Sequence, residues 1–455
     1  MEMILEFLRD VLSQPALLIG IMSCVGLIAL KRPFHKIMTG TLKPILGYLM
    51  LAAGAGVIVS NLDPLGKMIE HGFHITGVVP NNEAIVAVAQ KVLGVETMSI
   101  LVVGLLMNLL IARFTKFKYV FLTGHHSLFM ACLMSAVLGT AGLSGIELIL
   151  VGGFLMGAWS AISPAIGQSY TSKVTDGDEI ALGHFGSLGY YLSAWVAKYV
   201  GKAEESTEDI EIPEKWGFLR DSTLSTALTM IVFYLIAAIA AGSEFVATLS
   251  GSMSPYLFAV MSAMNFAVGV TIVYSGVRMI LGDLIPAFQG IATKIIPNAI
   301  PAVDCAVFFT YAPTAVVLGF ISSFIGGIIG MLILGAVGGV LIIPGLVPHF
   351  FCGATAGIYG NATGGRRGAA VGAFLNGLAI TFLPALALPV LGQLGFQNTT
   401  FGDADFAVMG LVLGNAFEWI GMAGIYGVVV IAALVLIIPN FIKTKGKVIN
   451  YVEEE

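Results

Sequence analysis

Pro301-Ala302-Val303-Asp304 places an acid three residues behind a proline, and no Asp, Glu, Lys or Arg follows until Arg366. A carboxylate at the edge of so long an apolar region is costly, so it faces a cavity, a partner or a substrate. Once there, it accepts charge-assisted hydrogen bonds from hydroxyl donors. The stretch Ile296–Phe320 carries Pro297, Pro301 and Pro313. Proline ahead of an apolar run marks the first turn of a helix, which predicts a discontinuous helix with Asp304 near an N-terminus. Broken backbone in a membrane is tolerated where it is buried or lines a cavity. A second segment has the same form: Pro80-Asn81-Asn82-Glu83 precedes its own apolar run, so Asn82 and Glu83 join the candidate site. The bland account of Glu83 is a first-turn acid with a capping Asn. Further on, IPGLVPHFFCGATAGIYGNATGGRRG (residues 343–368) is too rich in proline and glycine for a continuous helix. It reads as a re-entrant hairpin whose His349, Phe350 and Cys352 face either the site or the hairpin's own packing.

The elements that must position these residues are membrane helices. The chain has 455 residues, 57% hydrophobic and 11% charged, with mean hydropathy +0.93. Soluble domains carry about 25% charge, so the fold class is an all-α polytopic membrane protein; the alternation of a β-barrel is missing. Apolar runs near 15–30, 45–60, 98–111, 119–143, 146–165, 226–241, 256–273, 319–344, 370–391 and 421–438 give ten or eleven crossings. The polar stretch 168–221 separates halves 1–167 and 222–447 of a single unit, and Leu188–Val200 within it reads as an amphipathic interfacial helix. The N-terminal MEMILEFLRD reads as an interfacial helix too. Basic residues at 31–43 and 113–118, and Lys443, Lys445 and Lys447, put those loops and the C-terminus in the cytoplasm and the N-terminus outside. The acidic tail Glu453–Glu455 counts little in that rule. Arg366 and Arg367 read as anchors on the same side, and Arg278 as the ion partner of Asp283.

Net charge is −5, and nothing indicates nucleic acid. Cys24, Cys132, Cys305 and Cys352 lack CxxC spacing, and no HExxH occurs, so neither a metal nor a cofactor is expected. Gly47-Tyr48-Leu49-Met50 resembles Gly276-Val277-Arg278-Met279, each upstream of one of the proline-then-acid segments. Paired broken segments in two halves point to a transporter's binding site and an inverted repeat.

The segments TGH (123–125), VTDGDEIALGH (174–184), KAEESTEDIEIP (202–213), AVDCAVFFTYAPTAVVLGF (302–320) and IIPGLVPHFF (342–351) together resemble the membrane IIC permease of the L-ascorbate phosphotransferase system, through essentially the whole chain. The resemblance implies a homodimer in the bacterial inner membrane, each protomer having a core domain and a V-shaped dimerisation domain. It implies a substrate, ascorbate or a related sugar acid, carried inward. Phosphoryl transfer falls to a separate cytoplasmic IIB protein recharged by IIA, so this chain is the non-catalytic translocating subunit. It also implies that His125 and His184 join Asp304, Glu83 and Asn82 at the substrate, since an imidazole donates or accepts near neutral pH. The chain departs from the family at two places: ascorbate-type members tend to carry glutamines shortly after the two histidines, and here stand His126-Ser127-Leu128-Phe129 and Phe185-Gly186-Ser187. Glu83, His126 and His349 are the candidate substitutes. The rival reading is a proton-coupled secondary transporter of a small sugar or sugar acid.

Overall fold

The computed structural model describes residues 11, 14–74, 77–78, 80, 82–210, 222–392 and 400–441. The expectations for residues 1–10, Asn81, the C-terminal lysines and the acidic tail lie outside the described residues.

Helices are α1 (Pro15–Ala29), α2 (Phe34–Phe73), α3 (Asn82–Phe114), α4 (Gly124–Thr140), α5 (Gly145–Thr175), α6 (Ser187–Val200), α7 (Ser222–Ala241), α8 (Ser243–Ser250), α9 (Pro255–Lys294), α10 (Pro313–Ala336), α11 (Leu346–Gly392), α12 (Ala404–Ile420) and α13 (Met422–Phe441). Among the described residues, seven are long and apolar enough to cross a membrane, or eight if the bent pair α7–α8 forms one span. The chain is thus an all-α polytopic membrane protein. The larger count read from the sequence includes α1 and α4, of 15 and 17 residues, shorter than the ~20 residues a bilayer asks for.

α11 is two helices joined at a sharp bend. Gly364 and Gly365 leave helical geometry, and Gly365 has φ +59°. A Cβ on Gly360 would meet the Gly368 carbonyl. Residues eight apart in a straight helix stand about 12 Å apart, so the chain folds back here. The stretch expected to be too broken for a continuous helix is helical over 346–363, and the turn is the double glycine at 364–365.

α2 and α9, 40 residues each, cross antiparallel at paired glycines. A Cβ on Gly47 would lie 2.8 Å from the Gly276 carbonyl oxygen, and one on Gly276 2.5 Å from that of Gly47. Gly54 and Gly269 repeat the exchange at 2.8 and 2.9 Å. Small residues let helix backbones approach in this way. The two segments singled out as a repeat thus face each other. Beside them Asp283 takes Lys43 of α2 as its ion partner at 3.6 Å, in place of the expected Arg278.

A small parallel sheet is the element the sequence did not announce. β1 (Tyr119–Phe121) and β2 (Ala181–Leu182) flank β3 (Ile300–Val303). A separate bridge joins Val78 to Ile342. The pairings exchange between halves. The segment after α9 pairs with that after α3, and the segment after α2 pairs with that after α10. A two-fold relation between the halves requires this exchange.

The polar stretch 168–221 is partly buried: Lys173, Asp176, Asp178 and Glu179 are exposed, but the segments on either side of them are not. Gln168 and Thr171 are buried at the end of α5, and Ile180–Ser187 is buried as well. α6 packs its inner face on α11, where Ser193 Oγ donates to the Ala356 carbonyl at 2.6 Å and Thr363 Oγ1 to that of Ala194 at 3.0 Å. Leu192, Trp195 and Tyr199 form its exposed face. Beyond it, Glu208 caps α10: its carboxylate accepts from Thr314 N at 3.0 Å, Ala315 N at 3.1 Å and Thr314 Oγ1 at 2.9 Å. A negative charge there also complements the helix dipole. Glu208→Ala is expected to lower the thermal midpoint by roughly 2 °C, with Gln intermediate, in a thermal melt of the detergent-solubilised protein.

Candidate substrate site

The three strands run parallel, with Tyr119 opposite Ile300, Phe121 opposite Ala302, and Leu182 opposite Val303. Their C-terminal ends therefore point the same way, and each delivers polar side chains at once. β1 leads into His125 and His126 at the start of α4, β2 into Gly183-His184, and β3 into Asp304. Residues distant in sequence are brought together because a parallel sheet aligns its ends. Asp304 caps a 3-10 turn (Cys305–Thr310), accepting from Ala306 N at 3.3 Å. The expected break with an acid at an N-terminus is present, although a strand precedes it and α10 starts only at Pro313.

His125 joins two groups. Its Nε2 stands 3.4 Å from Asp304 Oδ2, and its Nδ1 lies 3.1 Å from the Tyr48 hydroxyl of α2. His184 is buried. Its Nδ1 accepts from Gly186 N at 3.1 Å and lies 2.9 Å from the Tyr190 hydroxyl. A nitrogen that accepts a backbone N–H carries no proton, so the Tyr190 O–H donates and the neutral ring holds its proton on Nε2. The same logic applies to His126, whose Nδ1 accepts from Phe185 N at 3.3 Å. The His126 and His184 rings lie 3.8 Å apart.

Asp403, which sequence reasoning missed, ties in two more candidates. Asn82 Nδ2 donates to its Oδ2 at 2.6 Å, and the Cys352 thiol to its Oδ1 at 2.9 Å. Gly402 N donates in turn to Asn82 Oδ1 at 2.9 Å. His184 Nδ1 stands 3.9 Å from Asp403 Oδ1, too far for a hydrogen bond. Asp405, fully buried, accepts from Ser187 Oγ at 2.7 Å, Leu188 N at 2.9 Å and Trp159 Nε1 at 3.2 Å. Its own N–H donates to the Phe185 carbonyl at 2.9 Å, clasping the turn that bears His184. The argument from the cost of buried charge that singled out Asp304 also reaches Asp403 and Asp405 in FGDADF (401–406).

Asp304, His125, His184, Asn82 and Cys352 thus converge. His349 and Phe350 do not bond into this set. His349 Nδ1 pairs with Ser323 Oγ at 2.9 Å beside Phe324, and Phe350 packs among Phe266, Phe309, Phe320 and Phe351. Glu83 follows Asn82 in the first turn of α3, and its side chain lies outside the described residues. Phe129 and Phe185 build an aromatic wall with Phe406 beside His126.

Ligand atoms of His126, His184 and Asp403 lie within 4.8 Å of one another, as do those of His184, Asp304 and Cys305. Nδ1 of His126 and of His184 already accept backbone N–H groups. The set therefore reads first as a hydrogen-bonding site for a hydroxyl-bearing ligand. It offers an acid, imidazole donors and acceptors, and apolar rings.

Cys352 gives a sharp local test. Cys352→Ser keeps a donor for Asp403, whereas Cys352→Ala leaves a buried carboxylate short of one. The alanine variant is expected to lose about 1–3 kcal/mol of stability and the serine variant clearly less, measured by thermal melts in detergent.

A protein-family model described as the PTS system sugar-specific permease component, EIIC-GAT, matches residues 10–405. A curated relative from Mycoplasma pneumoniae, the "Ascorbate-specific PTS system EIIC component", is 26% identical over 417 residues, covering 78% of this chain. This chain spans 62% of that relative's length.

Proposed function

This chain belongs to the EIIC-GAT family of PTS sugar-specific permease components, and on that premise we propose that it binds L-ascorbate or a related sugar acid at the strand ends and passes it inward. The observation that carries the reading is the convergence of Asp304, His125 and His184 beyond three parallel strands. Charge-assisted bonds from a carboxylate to hydroxyls are strong, and the imidazoles supply the opposite polarity. The ascorbate relative supports the substrate class. The wall of Phe129, Phe185 and Phe406 has no hydrogen-bonding groups in its side chains, so the substrate's oxygens are read by Asp304 and the histidines. A substrate oxygen left without a partner costs affinity.

Translocation in this proposal uses no chemistry of the chain itself. The phosphoryl group comes from a cytoplasmic IIB protein recharged by IIA, and two copies of this chain form the working unit. Basic loops at 31–43 and 113–118 support a cytoplasmic placement of those ends, with the N-terminus outside. Glu83 and His349 enter only as flanking groups.

Calorimetric titration of the purified protein with ascorbate, a set of sugar acids and a set of pentitols tests the substrate class. Saturable binding of ascorbate or a sugar acid is expected. Binding of pentitols alone would reject an acid substrate.

A further inference from the structure

We propose that the phenol of Tyr48 holds the place of a substrate hydroxyl on His125, so that the site opens only when the Tyr48–His125 bond breaks. The inference rests on the strand-end site being the substrate site.

Tyr48 and His125 come from different groups of helices. α1, α2, α7 and α9 pack on one another, and Lys43 with Asp283, Thr223 with Thr271 and Tyr234 with the Asn61 carbonyl are polar contacts inside that group. The site residues hang on the sheet ends, α4, α6 and α11. The Tyr48–His125 hydrogen bond at 3.1 Å crosses from one group to the other. Tyr48 itself is buried, with 6% of its surface exposed.

Beneath the phenol lies a cavity of about 10 Å³, room for about one water molecule. Tyr48, Leu51 and Ile280 line it from the helix group, and Thr123, Asp304 and Val307 from the sheet side. Binding pockets for small molecules run to roughly 300 Å³ and above, so a sugar acid enters only after the two groups separate. Among the described residues, Thr123 Oγ1 is buried without a hydrogen-bond partner, on a residue that lines this cavity. An unpaired buried hydroxyl beside a carboxylate, in a space too small for a sugar, marks a polar subsite that Tyr48 plugs.

The competition follows from valence. His125 Nε2 faces Asp304, which leaves Nδ1 for one partner at a time, Tyr48 or the ligand. Apparent affinity is reduced by the fraction of molecules in the open form. Removing the hydroxyl while keeping the ring raises that fraction.

The test compares wild type with Tyr48→Phe, each carrying Val307→Cys as a reporter at the cavity wall. Thr123→Cys serves as a second reporter if the first perturbs folding. Alkylation of the reporter without ligand is followed by mass spectrometry. The hydroxyl's loss is expected to raise the labelling rate roughly 2- to 10-fold, the range that one hydrogen bond of ordinary net strength gives. Ascorbate affinity of the Tyr48→Phe protein without a reporter is expected to rise by a similar factor. Equal or slower labelling overturns the proposal. Faster labelling with weaker ascorbate binding also overturns it, since Tyr48 would then be a direct substrate contact. If neither protein binds ascorbate, the substrate assignment fails, and the labelling still decides whether Tyr48 closes the site.

Discussion

Asp304→Asn is expected to weaken ascorbate binding by roughly 10- to 100-fold, the loss of one or two hydrogen bonds to a charged acceptor. The substitution conserves shape. Asparagine still accepts from Ala306 N and still caps the 3-10 turn, so the protein should fold and melt near wild type. What changes is charge: the carboxylate that faces His125 at 3.4 Å becomes an amide that offers an N–H where substrate hydroxyls need an acceptor. Calorimetry of the variant beside wild type, with a melt on each, separates binding from folding. Unchanged affinity removes Asp304 from the site. Lost affinity with a collapsed melting temperature assigns it a structural role.

Gly365→Ala is expected to cost about 2–6 kcal/mol of stability, through two independent causes. At φ +59° and ψ −156° the backbone sits in a region that side chains avoid. A Cβ there would also meet the carbonyl oxygens of Lys202 and Glu205. These are backbone atoms and cannot swing aside. The Glu205 carbonyl is already fixed by the N–H of Arg366 at 2.8 Å. Gly421→Ala is the comparison: its φ is +61°, and a Cβ would meet nothing within 4 Å, so it suffers strain alone. Size-exclusion profiles and melting temperatures of the two variants should rank Gly365→Ala well below Gly421→Ala. Equal behaviour would show that the bend in α11 tolerates a side chain.

Much of this molecule was legible before its structure. Long apolar runs fix the class because a bilayer demands them. The isolated charge at Asp304 and the prolines around it located the break, since both are expensive in lipid. The sheet was not legible. Tyr119–Phe121, Ala181–Leu182 and Ile300–Val303 are two to four residues long, too short to show a period of two, and their apolar character merged them into neighbouring helices. With the sheet hidden, nothing in the sequence said that His125, His184 and Asp304 meet. Their grouping rested on the family resemblance. The double glycine of α11 was visible, but the position of the turn was not, because glycine and proline abound on both sides of it. The same abundance makes His349, Phe350 and Cys352 look alike in the sequence. Only Cys352 bonds to Asp403, since side chains along a helix point in different directions. Asp403 itself was missed for no physical reason.

In the proposed function, this chain moves a sugar acid through its strand-end site for phosphorylation by a partner. Uptake of labelled ascorbate into vesicles holding the protein, with phosphorylated IIB supplied inside, tests it most directly. The account predicts that label accumulates as the phosphate ester, depends on phosphorylated IIB, and falls away in Asp304→Asn. Accumulation of unmodified ascorbate driven by a pH gradient, with IIB absent, would contradict it and establish a secondary transporter.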